Sequence, residues 1–166
     1  MQVSKAMKKL QLSKAFTLME SGPVVLVTTN DSGKNNIMTI SWTMVVDFTP
    51  QFAITTGPWN FSYAALRKSR ECVISVPTVD LIDQVVGVGT CSGADTDKFE
   101  KFGLTPVKGK HVKSPLIKEC LANMVLYFLC SISPTTVSFA VYPLLMSILH
   151  DLIVVSMFLF FVISPT

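Results

Sequence analysis

The sequence predicts a mainly β domain with short helices, α+β or barrel-like in architecture, followed by an apolar tail. Three observations carry that expectation. Short β-branched runs recur at close spacing between Val24 and Val76, as antiparallel strands do. The helical patterns between them are few and too short to be the crossovers of a doubly wound sheet. Charge also stops abruptly: all 14 Lys and Arg lie between Lys5 and Lys118, and after Glu119 the only formal charge is Asp151, beside His150.

The chain has 166 residues, enough for one domain with a real core. It is 49% hydrophobic, with a formal net charge of +3, and the mean hydropathy is +0.49. The basic excess is too modest to argue for nucleic acid. The four cysteines, Cys72, Cys91, Cys120 and Cys130, show no metal-type or CxxC spacing, and Met1–Lys14 is polar rather than a short apolar signal. Reduced thiols and a cytoplasmic location are therefore expected, with no metal site.

Ser4–Met19 reads as a short amphipathic helix or a solvated arm. Ser21-Gly22-Pro23 ends it and introduces Val24–Thr29, a short apolar run of the kind buried on both faces. Asn30–Lys34 is a turn with Gly33 free to take positive φ. Asn35–Trp42 follows as the second arm of a hairpin, and Thr43–Phe48 continues extended until Thr49-Pro50. Gln51–Thr56 is the next strand. Ser62 stands where an N-cap is wanted, ahead of a short helix through Lys68, and Glu71–Val76 is a strand closed by Pro77. Asp80 is placed to cap Leu81–Val86, and Gly87–Gly93 reads as a flexible turn. Asp95–Phe102 is a short polar helix ended by Gly103. Leu104–Ser114 is a basic loop, and Pro115–Leu121 opens a strand or a helix.

Chemistry is signalled by small groups rather than by a catalytic set. Only two histidines occur, His111 and His150, so no nucleophile–base pair stands out. Gly87-Val88-Gly89 does not follow a strand and open a long helix as a dinucleotide loop would. Asn35–Trp42 is unusual for a core strand, because it mixes amide, hydroxyl and aromatic groups suited to a flat ligand. Thr55-Thr56 end a strand just before Ser62, and a helix N-terminus with free N–H groups suits phosphate. Each feature has a plainer alternative: Ser62 as a simple cap, Lys98 as a solvated charge, Trp42 and Trp59 as core.

In order and spacing, six blocks resemble the flavin reductase-like family, close to the flavoredoxins. They are Pro23–Thr29, Asn36–Trp42, Ser62-Tyr63, Val76-Pro77, Cys91–Phe99 and Gly103–Pro106. The resemblance spans about Gly22 to Asn123, and Asp97-Lys98-Phe99 after Cys91-Ser92-Gly93 is its most specific part. It implies an FMN-binding split β-barrel working as a homodimer, with flavin near the subunit interface. By that resemblance Asn36, Thr39, Ser41 and Trp42 line the isoalloxazine ring. Ser62, helped by Thr55 or Thr56 and Arg67, serves the phosphate and ribityl end, and Lys98 reaches the flavin or its phosphate. The implied chemistry is transfer of electrons from NADPH or NADH through FMN to flavin or another acceptor, the cofactor supplying the reactivity. A non-catalytic FMN-binding module is the alternative.

The resemblance ends at Asn123. Family members continue with a charged strand, a Gly-Asp-His type segment and strands that close the barrel. Residues 1–123 are thus expected to form an incomplete barrel, with 124–166 an atypical tail. Three readings of the tail stand open. Leu144–Ile163 has roughly the 20 residues of a membrane span, with Asp151 costing about 2.5–3.5 kcal/mol inside it and the preceding Lys residues holding the domain on the cytoplasmic side. Alternatively the tail is a substitute core packed on the open barrel, or the product of an altered reading frame that leaves an inactive chain.

Overall fold

The structure, a computed structural model, describes residues 22–47, 51–133 and 136–147. The Ser4–Met19 helix or arm, the Thr49-Pro50 break and most of the Leu144–Ile163 segment lie outside the described residues. Nine strands and three short helices make up the described chain.

β1 (Val25–Asp31) and β2 (Lys34–Ile40) form the expected hairpin, with Val25 opposite Ile40 and Asp31 opposite Lys34. At its turn Ser32 and Gly33 both take positive φ, 53° and 95°. The Gly33 N–H donates to Asn30 Oδ1 at 3.1 Å, a side-chain bond that fixes the turn locally. β3 (Thr43–Asp47) pairs with β4 (Gln51–Thr55), α1 (Ser62–Ser69) follows, and β5 (Glu71–Val76) lies against β1. A 3-10 turn at Val79–Leu81 leads into α2 (Ile82–Thr90), and α3 is a single turn, Lys98–Lys101. β6 (Pro106–Val107) and β7 (Leu116–Ile117) make a separate ribbon. β8 (Ala122–Ser133) and β9 (Thr136–Ser147) complete a seven-stranded antiparallel sheet of order β2-β1-β5-β8-β9-β4-β3.

That order forces the sheet to curl. β2 and β3 are its two edges, yet only Ser41 and Trp42 separate them in the chain. Three Cα–Cα steps span at most about 11 Å, whereas the edges of a flat seven-stranded sheet stand roughly 29 Å apart. The sheet therefore rolls until its edges meet at the Ser41-Trp42 corner, with no ladder between them. The inner face confirms the roll: Val25 and Val27 of β1, Met38 and Ile40 of β2, Ile54 of β4, Cys72 and Ile74 of β5 and Leu126 of β8 form one buried cluster with Leu66 of α1. Outside, Leu26 and Ile37 pack against Leu81, Val85 and Val88, joined by Phe99, Leu104 and Ile117. Val73 of β5 and Val125 of β8 pack outside as well, with Val112 and Leu116, so β1, β5 and β8 as far as Tyr127 bury apolar side chains on both faces.

Four local expectations are corrected. The single strand from Asn35 to Trp42 ends at Ile40, because the chain leaves its β1 partner there for β4. The Thr43 N–H donates to Ser41 O, and Thr55 N–H to Trp42 O, both at 3.0 Å. Asp80 caps nothing: the residue preceding α2 is Leu81, and no side chain caps that helix. Gly87–Thr90 belongs to α2 instead of a flexible turn, since Gly87 lets the helix lie against Phe102; a Cβ there would sit 2.3 Å from that ring. Asp97 caps α3, which therefore starts three residues later than the polar helix read from Asp95; its Oδ1 accepts from the Phe99 and Glu100 N–H groups at 3.0 and 3.1 Å.

The tail, as far as Ser147, enters the sheet. β8 and β9 stand between β5 and β4 and join the two halves of the barrel. The end of the family-like pattern, Asn123, is itself in β8 and buried. Its Oδ1 accepts from Ser75 Oγ at 2.7 Å and from Ile117 N–H at 2.8 Å, and its Nδ2 donates to Ile117 O at 3.0 Å. One amide thereby ties β5, β7 and β8 together. Among the described residues no helix is long and apolar enough to cross a membrane.

Candidate functional site

An open cavity of about 230 Å³ lies where β2, the loop before α1, the end of α2 and α3 converge. Four of the residues expected from the sequence line it: Asn36, Thr39, Ser62 and Lys98. Ser41 and Trp42 sit outside it at the barrel corner, Thr55 ends β4 outside it, and Arg67 lies outside it in the last turn of α1.

Three of the lining polar groups, Asn36, Thr39 and Ser62, are held by partners distant in sequence. Ser62 is the first residue of α1 and not its cap; Phe61 takes the cap position, with no side-chain bond. Its hydroxyl turns inward, 2.9 Å from Thr29 Oγ1, and accepts from Asn36 Nδ2 at 2.8 Å. All three residues are buried. With Asn36 Nδ2 committed to Ser62, its Oδ1 is left against Gly93, and that assignment follows from the hydrogen-bond network. Thr39 donates to Val85 O at 2.6 Å and so anchors β2 to α2. Thr56, buried behind the loop, is bonded by Asn60 Nδ2 at 3.0 Å.

Lys98 is no solvated charge. It is only 5% exposed, and its ammonium donates to Val88 O at 2.9 Å. Desolvation lowers its pKa from the ordinary 10.5, with Cys91 nearby acting in the opposite sense. For a lysine that direction means the charged form opposes folding. The opposition is full below the folded value and is relieved as pH rises through that value towards 10.5.

The glycine run contributes walls that the sequence reading missed. A Cβ on Gly93 would fall 2.1 Å from Asn36 Oδ1, and one on Gly89 would fall 3.3 Å from Thr39 Cβ. Glycine at both places lets the last turn of α2 and the loop after it come down onto β2 at the two polar positions. The usable signal was the position of these glycines just ahead of the Asp97-Lys98-Phe99 block. Trp59 was also missed. It lines the cavity at 64% exposure, with its ring folded over Gly57. Trp42 is 46% exposed, so neither tryptophan fills the core.

A match to the flavin reductase like domain covers residues 19–126. The chain belongs to this family. An uncharacterized protein of Archaeoglobus fulgidus is 40% identical over 92 residues, 55% of this chain and 52% of its own length. This chain therefore spans about half the length of that relative. Among solved structures, the flavoredoxin of Desulfovibrio vulgaris (Miyazaki F) superposes with a TM-score of 0.72 at 25% identity, covering 89% of this chain and 76% of its own. An FMN-binding domain of a flavin reductases-like enzyme from Shewanella baltica gives 0.68 at 24%, covering 84% and 76%. The rolled, unclosed sheet is the split β-barrel of these flavin reductase-like proteins.

Proposed function

We propose that the cavity binds FMN and that the protein is an oxidoreductase, taking electrons from NADPH or NADH and passing them through FMN to flavin or another acceptor. The observation that carries this reading is the convergence of Asn36, Thr39, Ser62 and Lys98 on one cavity in a chain of this family. The lining fits the cofactor in kind. Gly89 and Gly93 leave backbone where side chains would intrude, Asn36 and Thr39 offer polar atoms along β2 to the ring, and Lys98 supplies a positive charge. Asn60 and Ser62, at the start of α1, suit the ribityl and phosphate end. Bound FMN supplies hydride acceptance, and the chain has to bind, orient and shield it.

The same reading includes a homodimer and a cytoplasmic location, with Ser41, Trp42, Thr55 and Arg67 as further flavin contacts. The dimer is supported by exposed apolar side chains at the β3 edge, Trp42, Met44 and Val45, a grouping that suits burial against a second copy. The described part of the tail supports a barrel domain extending past residue 123.

The full chain, purified and titrated with FMN, is expected to turn yellow and to bleach anaerobically on addition of NADPH or NADH. A preparation that ignores FMN sinks the reading. One that binds FMN but resists both nicotinamides is the non-catalytic binding module. A second check needs no activity. Burial pushes the Cys72 thiol up, and that of Cys120 to about 12, while half-buried Cys91 lines the cavity. Iodoacetamide will modify Cys91 before Cys72 and Cys120, and saturating FMN will slow that modification. Peptide mapping that finds Cys91 equally reactive with and without FMN would place the cofactor elsewhere.

A further inference from the structure

We propose that Lys98 is the counter-charge for the negative charge that two-electron reduction places on the cofactor's ring system, so that the site binds reduced FMN more tightly than oxidised FMN. The inference rests on the FMN reading and adds a redox role to one residue. Among the described residues, Lys98 is the only charged one lining the cavity, and no acid is in its walls. Its ammonium is buried, and its bonded partner is the neutral Val88 carbonyl. Among the described residues it forms no ion pair. The titratable groups around it are Cys91 on the cavity wall and Asp95, Asp97, Glu100 and Lys101 on or beside α3; the Asp97 carboxylate is already engaged by two backbone N–H groups. A buried cation without a carboxylate is a standing cost that a bound anion relieves.

The position of Lys98 favours the ring over the phosphate. Asn36 is tied to Ser62 at the start of α1, and Thr39, three residues further along β2, is tied to Val85 of α2. Three residues of strand cover roughly 10 Å. The phosphate-suited end at α1 and the ammonium end at α2 and α3 are thus set apart along one strand. A hydride from a nicotinamide brings two electrons and one proton. The ring system then carries one additional negative charge unless a second proton follows from water, and the Lys98 ammonium stabilises that charge without giving up its own proton.

The test compares the full chain with Lys98→Met and Lys98→Arg. Each is titrated with FMN and with riboflavin, oxidised and, under anaerobic conditions, dithionite-reduced. Lys98→Met is expected to weaken reduced FMN about tenfold more than oxidised FMN, equivalent to a potential about 30 mV lower for a two-electron couple. Riboflavin should show the same ratio, because it has no phosphate, and Lys98→Arg should restore most of it. Equal weakening of both redox states overturns the proposal, as does an effect confined to FMN, which would assign Lys98 to the phosphate. The wild-type chain supplies a measurement that no misfolded variant can spoil. Its midpoint potential near neutral pH should change with one proton per two electrons, and two protons would overturn the proposal. A wild-type chain that binds FMN in neither state overturns the FMN reading itself, a result distinct from bound FMN with an indifferent Lys98.

Discussion

Gly93→Ala will weaken FMN binding by at least about tenfold, or about 1.4 kcal/mol, while leaving the barrel folded. The added Cβ would lie 2.1 Å from Asn36 Oδ1 and 2.5 Å from Asn36 Cγ, so one of the two must move. Asn36 has little freedom to give. It is buried, and its other amide atom is bonded to Ser62 Oγ at 2.8 Å, with Thr29 Oγ1 behind that hydroxyl at 2.9 Å. Relief requires either turning the Asn36 amide out of its network or lifting the loop after α2, and each removes a wall of the cavity. Flavin fluorescence quenching gives the affinity, and urea unfolding of the apo chain gives the stability. Gly33→Ala is the contrasting variant. At φ 95° with open space around it, that alanine strains a distant turn and should cost stability with no change in FMN affinity. If both glycine variants bind FMN as the wild type does, the close approach of Gly93 to Asn36 does not shape the site.

Much of this arrangement could be read from local sequence. β5 was legible to the residue and β4 nearly so, because β-branched runs bounded by turn residues settle strand extent locally, whereas β2 ends two residues before the expected Trp42. Asn36, Thr39, Ser62 and Lys98 became candidates through the resemblance to the family, not through any one local signal. Their actual partners were not legible. Ser62 looks like an N-cap because serine at a helix start usually is one, yet Thr29 and Asn36, 33 and 26 residues upstream, draw its hydroxyl inward. Lys98 looks solvated among acids, yet its side chain is buried with its ammonium on Val88 O, ten residues upstream in α2, which no local pattern encodes. Gly87–Gly93 resembles a flexible turn until Phe102, Thr39 and Asn36 are brought against it. The tail was ambiguous for a further reason: an uncharged apolar run suits a membrane segment and a central strand equally well, and for residues 124–133 and 136–147 only the strand order separates them.

That ambiguity makes β8 the place where a core mutation is most informative. Leu126→Ala should lower stability by about 2–5 kcal/mol, the range for deleting a buried leucine side chain. Leu126 is fully buried on the inner face, in one cluster with Val25 and Val27 of β1, Ile54 of β4 and Cys72 and Ile74 of β5. Its backbone pairs with Cys72 on one side and Val141 on the other. The cavity left by alanine would open at the centre of the barrel, where a rolled sheet has least room to collapse. Leu121→Ala, just before β8 and partly exposed, should change stability by no more than about 0.5 kcal/mol. Urea unfolding followed by tryptophan fluorescence measures both. If Leu126→Ala were as mild as Leu121→Ala, β8 would not be a structural strand of this barrel and the chain beyond Asn123 would be dispensable to it. The expected loss, by contrast, makes the apolar tail part of the fold that carries the site: β8 holds β5, β5 holds β1, and β1 presents Thr29 and pairs with the strand that carries Asn36 and Thr39.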